Sequence, residues 1–181
     1  MYKEEKKLSQ VCGAACIEYV LRKENNYSIE VPNLWWIFDL AIFCYYNSEF
    51  EIGLRYYNSN LMAEYNGNPR SLPTEVVERI QWYKKNIGNI EEQKLDGKVL
   101  QQYVSFWDWL IINVDSKLLY QDEKMQGHNH YVIVKMLYEN EVYLISPGKT
   151  TFSEIIINVN ELIDMTRKNG QWILLLRNKM R

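Results

Sequence analysis

The chain has 181 residues, 47% of them hydrophobic and 24% charged, with a formal net charge of -2 at neutral pH. That length supports one good core and is short for two domains, and the near-balanced charge excludes bulk attraction to nucleic acid or to an anionic membrane. Three cysteines are an odd count, thinly spread, which argues against a disulfide framework and for a reducing compartment.

The opening run Met1-Tyr2-Lys3-Glu4-Glu5-Lys6-Lys7 mixes charges and has no apolar core, so it does not read as a signal peptide. The longest apolar stretch, 34–46, is broken by Asp39 and is too short to span a bilayer. The expectation is one cytoplasmic domain over 1–181, with no cofactor, no metal, no nucleic-acid partner and no membrane. Tyr and Trp are abundant, at 14 and 6. They suit core and edge-strand positions, and they could also line a pocket for a flat substrate.

In chain order, 13–23 reads as a helix with Cys12 at its start. Pro32 and Asn33 introduce a second helix, 34–46, apolar nearly all round and so expected to be buried. A short strand over 51–57 leads into an asparagine-rich loop that runs past Gly67 to Pro69. Thr74 is a candidate N-cap for a helix over 75–86 that ends at Gly88. A shorter helix is expected over 99–106. The pattern then turns to strands: 109–114, then 131–137 and 141–145 joined by a hairpin-like turn, then 151–157. A helix over 158–168 ends near Gly170, and 171–176 is a last strand. Helices first and strands later favour α+β with a mostly antiparallel sheet.

Chemistry concentrates at two places. Cys12-Gly13-Ala14-Ala15-Cys16 opens the first helix, and His128-Asn129-His130 opens the apolar run Tyr131-Val132-Ile133-Val134. A cysteine at a helix N-terminus and a histidine at a strand start are the parts of a thiol nucleophile and its base, because the helix end and an imidazolium both favour thiolate. His130 directly precedes the apolar run and is favoured as the base. His128 remains as fallback, loop residue or substrate contact. Cys16 lies one turn beyond Cys12 and reads as core, as does Cys44 in the apolar helix.

These residues resemble the papain-like cysteine peptidase clan, and within it the bacteriocin-leader (double-glycine) peptidases and their stand-alone relatives, including "guanylyl cyclase" domain proteins. The resemblance rests on the Cys12-Gly13 helix start, on Trp36-Ile37-Phe38-Asp39-Leu40-Ala41, and on His130-Tyr131-Val132-Ile133-Val134, and it covers roughly 8–176. It implies a papain-like α+β fold with N-terminal helices packed on a C-terminal antiparallel sheet. It also implies that Cys12 and His130 face each other across a cleft.

Two positions depart from the family pattern. The third catalytic residue, an Asp or Asn before Pro, is here Ser146 in Ile145-Ser146-Pro147. A hydroxyl orients an imidazole but does not support imidazolium as a carboxylate does. The oxyanion-hole Gln is expected further upstream, where Lys6 and Lys7 stand. Either Gln10 serves from an altered loop, or backbone N–H groups at the helix start do the work.

A branch of the same clan forms amides rather than cutting them, as in butirosin and closthioamide assembly. That branch moves an acyl group from a carrier-protein thioester to a primary amine. A thiolate leaves unaided, so a weak third residue is tolerated there. The expected function is this cysteine-dependent, transglutaminase-like acyl transfer in natural-product biosynthesis, with peptide hydrolysis of the leader-peptide type as the alternative. A degenerate, non-catalytic binding module is a further alternative. Cys12, Cys16, His128 and His130 could make a two-Cys, two-His zinc set, although Cys-x3-Cys on a helix is an unusual spacing. Asp39 and Asp115 are the acids that could replace the missing carboxylate, and Asp115 could also contact substrate.

Overall fold

The structure is a computed structural model that describes residues 12–24, 30–32, 36–121, 129–148, 151–167 and 171–179. In chain order the described residues form α1 (Cys12–Lys23), α2 (Ile37–Asn47), β1 (Phe50–Tyr56), α3 (Asn60–Gly67), α4 (Thr74–Asn86), β2 (Ile90–Glu92) and α5 (Gly97–Phe106). The second half continues with β3 (Trp109–Asp115), α6 (Ser116–Tyr120), β4 (Asn129–Tyr138), β5 (Glu141–Pro147), β6 (Phe152–Asn158), α7 (Val159–Arg167) and β7 (Ile173–Asn178). This is the α+β class, with one seven-stranded sheet in the order β2-β1-β7-β3-β4-β5-β6. The sheet is mixed: β1 and β2 run parallel, and the other neighbours are antiparallel.

The central strands carry nearly continuous apolar runs, with Asn113 the exception in β3, because both faces of the sheet are covered. Ile111, Tyr131, Ile133, Ile145, Leu174 and Leu176 pack into a core shared with Cys16, Ile17 and Val20 of α1 and with Phe38 and Leu40 of α2. The alternate residues Leu110, Ile112, Val114, Val132, Val134, Ile173 and Leu175 pack into a second core with Leu100 of α5 and Leu162 of α7. Strand alternation assigns successive residues to opposite cores. Each fully buried Leu or Ile contributes about 1.5–3 kcal/mol.

Gly13 allows α1 to come this close. A Cβ there would lie 2.9 Å from Leu40 Cδ1 and 3.1 Å from Tyr131 Cδ2. The turn joining β4 to β5 is two residues long, with Glu139 at φ 53°. Gly88 follows α4 at φ +77°, the left-handed conformation that stops a helix.

Several expected elements differ. The loop expected over 58–69 contains α3, where Ser59 Oγ accepts from Met62 N at 3.3 Å and Met62 is buried. A cap and one apolar anchor outweigh the poor helix propensity of asparagine. Thr74 is not an N-cap. It is the first helical residue, the cap position is Pro73, and no side chain caps α4. The helix α2 is not buried all round: Ile37, Phe38, Leu40, Ala41 and Cys44 face the core, whereas Tyr45 and Tyr46 are exposed and join Trp82 in an aromatic cluster. The strand β2 is short and largely exposed, and so shows no apolar pattern. Among the described residues no helix is long and apolar enough to cross a membrane.

Candidate functional site

The start of β4 and the N-terminus of α1 meet at one end of the sheet. Cys12 is the first residue of α1, and its Sγ accepts a hydrogen bond from the Tyr131 N–H at 3.4 Å. One turn later, the Cys16 thiol donates to the Tyr131 carbonyl at 3.4 Å. The strand β5 runs out at Pro147, which has no N–H for a ladder. The Tyr131 peptide is held from α1 instead, by two thiols one helical turn apart. Cys16 is therefore a structural grip on the strand that carries the histidine.

His130 precedes Tyr131 and alternates onto the face of Val132 and Val134. Its Nε2 lies 2.9 Å from Ser146 Oγ and 3.2 Å from Tyr120 Oη. Those two hydroxyls are themselves 2.7 Å apart, so the three groups close a triangle. Ser146 is 1% exposed, on the adjacent strand β5. Tyr120 is the last residue of α6. Among the described residues no hydrogen bond joins Cys12 Sγ to the imidazole, and Nδ1 has no partner. The thiol sits against the peptide next to His130, and the nitrogen that faces Ser146 is already engaged.

Burial governs the charges here. It raises the Cys12 thiol above its ordinary value of 9.0, and the N–H groups of Tyr131, Gly13 and Cys12 offset that only in part. It lowers His130 to about 4 from 6.5. Both shifts favour the neutral forms, so at pH 7 the pair rests as thiol and imidazole. Cys16 is pushed well above 9.0 by burial and then by the nearby Cys12, and Cys44 to about 12 by burial. All three cysteines are free, and only Cys12 is not fully buried.

The other candidates fall as follows. Gln10 and His128 lie outside the described residues. Asp115 is 6% exposed, and its carboxylate caps α6 by accepting from Lys117 N at 2.9 Å. Asp39 pairs with Arg79 Nε at 2.7 Å and braces α2 against α4. Its carboxyl is raised by burial, which the Arg79 charge opposes. Among the described residues no group of three or more His, Cys, Asp or Glu side chains could hold a metal ion.

Tyr120 is the site residue missed from sequence. The signal lay in topology: β3 and β4 pair antiparallel with Asp115 opposite Asn129, so whatever follows β3 must lie beside the start of β4. Compared with known proteins, the chain matches no family model, no curated protein and no solved structure.

Proposed function

We propose that this chain is a papain-like cysteine acyltransferase that forms an amide bond from a carrier-protein thioester and a small primary amine. The observation that carries the reading is that the one accessible thiol, on the first residue of α1, bonds the Tyr131 N–H, one residue from a strand-borne histidine whose partners are hydroxyls rather than a carboxylate. Three unpaired cysteines fit a reducing, cytoplasmic setting.

The chemistry balances with this chain's own groups. His130 must hold its proton on Nε2, where Ser146 and Tyr120 oxygens accept it, and must use Nδ1 as base. In the reacting complex Nδ1 must come within reach of Sγ and take the Cys12 proton as Sγ attacks the thioester carbonyl. The acyl–sulfur bond to the carrier arm breaks, and the departing thiolate collects that proton. The amine then attacks the acyl-Cys12. A carbon–nitrogen bond forms, the carbon–Sγ bond breaks, and the amine proton returns through His130 to Sγ. The first-turn N–H groups of α1 are the available donors for the tetrahedral oxyanion.

A peptidase needs more from the same groups. Its leaving amine must be protonated by an imidazolium, and neutral hydroxyls support that cation poorly. The test is mass spectrometry of the intact protein with an acyl-phosphopantetheinyl carrier, followed by an amine chase. Expected is an acyl adduct on Cys12, absent in Cys12→Ala, retained in Cys16→Ala and Cys44→Ala, and discharged as amide. Peptide cleavage by the wild type without amide formation would replace this reading with hydrolysis. No adduct and no cleavage would leave a binding module.

A further inference from the structure

We infer that the outer edge of β6 is a dimerisation surface, on which a second copy of this chain lays its own β6 antiparallel, about a two-fold axis at Ile156. The inference is independent of the acyl-transfer reading and uses none of the residues assigned to it.

The two ends of the sheet are built differently. At one end stands β2, three residues long, two of them glutamates. Short length and charge both blunt a sheet edge against further pairing. At the other end stands β6, seven residues long, with Ile155, Ile156 and Ile157 in a row and no proline. Among the described residues no strand lies beyond it. The Asn158 N–H turns out of the ladder to Glu161 Oε2 at 3.3 Å. At the far end of the strand, Phe152 lies opposite Pro147, which has no N–H to give it. Strand geometry repeats every two residues, so the N–H and C=O groups of Glu154 and Ile156 also point outward.

Side chains decide the occupant and the register. Met136, Tyr143 and Ile156 lie opposite one another across β4, β5 and β6 and form one apolar row that ends at the open edge. Met136 is 45% and Ile156 54% exposed, and Tyr138 on the same face is 60% exposed. Exposed apolar patches of this kind mark interaction sites. An antiparallel edge is self-complementary under a two-fold axis, so a second copy fits it. An axis at Glu154 would oppose two carboxylates, and an axis at Ile155 would set Ile156 against Glu154. An axis at Ile156 sets Ile156 against Ile156, Ile155 against Ile157, and Glu154 against the neutral Asn158. No charge then faces its like, and Glu154 keeps its own partner, Lys135 Nζ at 2.6 Å. The two Ile156 residues exchange their N–H···O=C bonds, and the apolar row runs on into Ile156, Tyr143 and Met136 of the second copy. Such an edge buries less than about 1,200 Å², so the association is micromolar rather than permanent.

The test is sedentation equilibrium of the full chain by analytical ultracentrifugation, from about 1 µM to about 500 µM, a span that brackets association of this strength. The mass should rise from that of one chain toward that of two and stop there. Ile156→Lys places two ammonium groups at the axis and should weaken the dimer at least about tenfold. Ile156 is exposed in the single chain, so the variant should fold. Tyr46→Ala, at an exposed aromatic far along the chain on α2, should leave the association unchanged. A second measurement fixes the register. In a Cys12→Ala background the remaining native thiols are buried. There Ile156→Cys treated with diamide should give a disulfide-linked dimer, whereas Glu154→Cys, which faces Asn158, should not. A chain that stays monomeric throughout, a dimer indifferent to Ile156→Lys, or cross-linking through Glu154→Cys in place of Ile156→Cys would overturn the inference.

Discussion

Acidification should destabilise this protein through His130 in particular. The imidazole is held near 4 in the folded chain against 6.5 when free, with burial as the cause. At 1.36 kcal/mol per pKa unit, that fall of 2.5 corresponds to about 3.4 kcal/mol. The ring is only partly buried, so solvent screening reduces this to about 2–3 kcal/mol. The sign follows from proton counting. Between the two values the unfolded chain binds the proton and the folded chain does not, so stability falls as pH falls. The penalty is absent above about 6.5 and complete below about 4. Carboxylates also titrate in this window, so the comparison must be with His130→Gln, which keeps a neutral hydrogen-bonding side chain. Urea unfolding at pH 7.5 and pH 4.5 should show wild type losing about 2 kcal/mol more than the variant over that interval. Parallel losses would refute the reasoning, because they would mean that His130 titrates alike in both states.

Three further outcomes are expected. The rate of Cys12 alkylation by iodoacetamide should rise steadily with pH beyond 9 and show no inflection between 5 and 8, because burial lifts the thiol; a reactive plateau below pH 7 would reveal a preformed thiolate–imidazolium pair. Ser146→Ala should slow acyl transfer roughly 5–10-fold, as expected for one neutral hydrogen bond of about 1 kcal/mol, with Tyr120→Phe giving a similar loss; a drop of more than about 10³-fold in kcat would point to a role beyond orientation. Gly13→Ala should lower stability by about 1–3 kcal/mol, because the added methyl meets Leu40 Cδ1 at 2.9 Å; an unchanged urea midpoint would mean that α1 and β4 separate freely.

The strongest periodic signals survived contact with the structure, and the weak ones failed for identifiable reasons. Apolar runs such as 109–114, broken only by Asn113, and 131–134 read as buried strands because they lack polar alternation, and both lie in strands covered on two faces. The helix over 13–23 was legible from its small residues and the apolar spacing behind them, and α1 covers it. What escaped was short or tertiary in origin. The helix α6 is five residues held by an Asp115 cap. The helix α3 depends on Met62 finding the core. Mutual pairings such as Tyr120 with Ser146 exist only because β4 pairs with β3 on one side and with β5 on the other. Spacing alone could not separate the setting of Cys16 from that of Cys12. They differ because one thiol is half-buried and accepts from the Tyr131 peptide, and the other donates to it in full burial.

The hydroxyl triangle makes the direction of reaction an electrostatic question. A carboxylate beside Nε2 would raise the imidazole's affinity for a second proton and supply the acid that expels an amine. Ser146 and Tyr120 supply dipoles, which hold the ring but leave the cation unsupported by any charge. Such a base can remove a proton from a thiol or an amine during attack and return it at once. It is poorly placed to store one until a poor leaving group needs it. A thioester makes no such demand, and the aminolysis of an acyl-cysteine again expels a thiolate. Replacing Ser146 by Asp tests that logic directly. The carboxylate should lift the His130 pKa from about 4 toward or above its free value, which NMR titration of the ring would read. It should also add peptide or amide hydrolysis to the repertoire. A raised pKa with no gain of hydrolysis would show that the missing charge is not what separates the two activities.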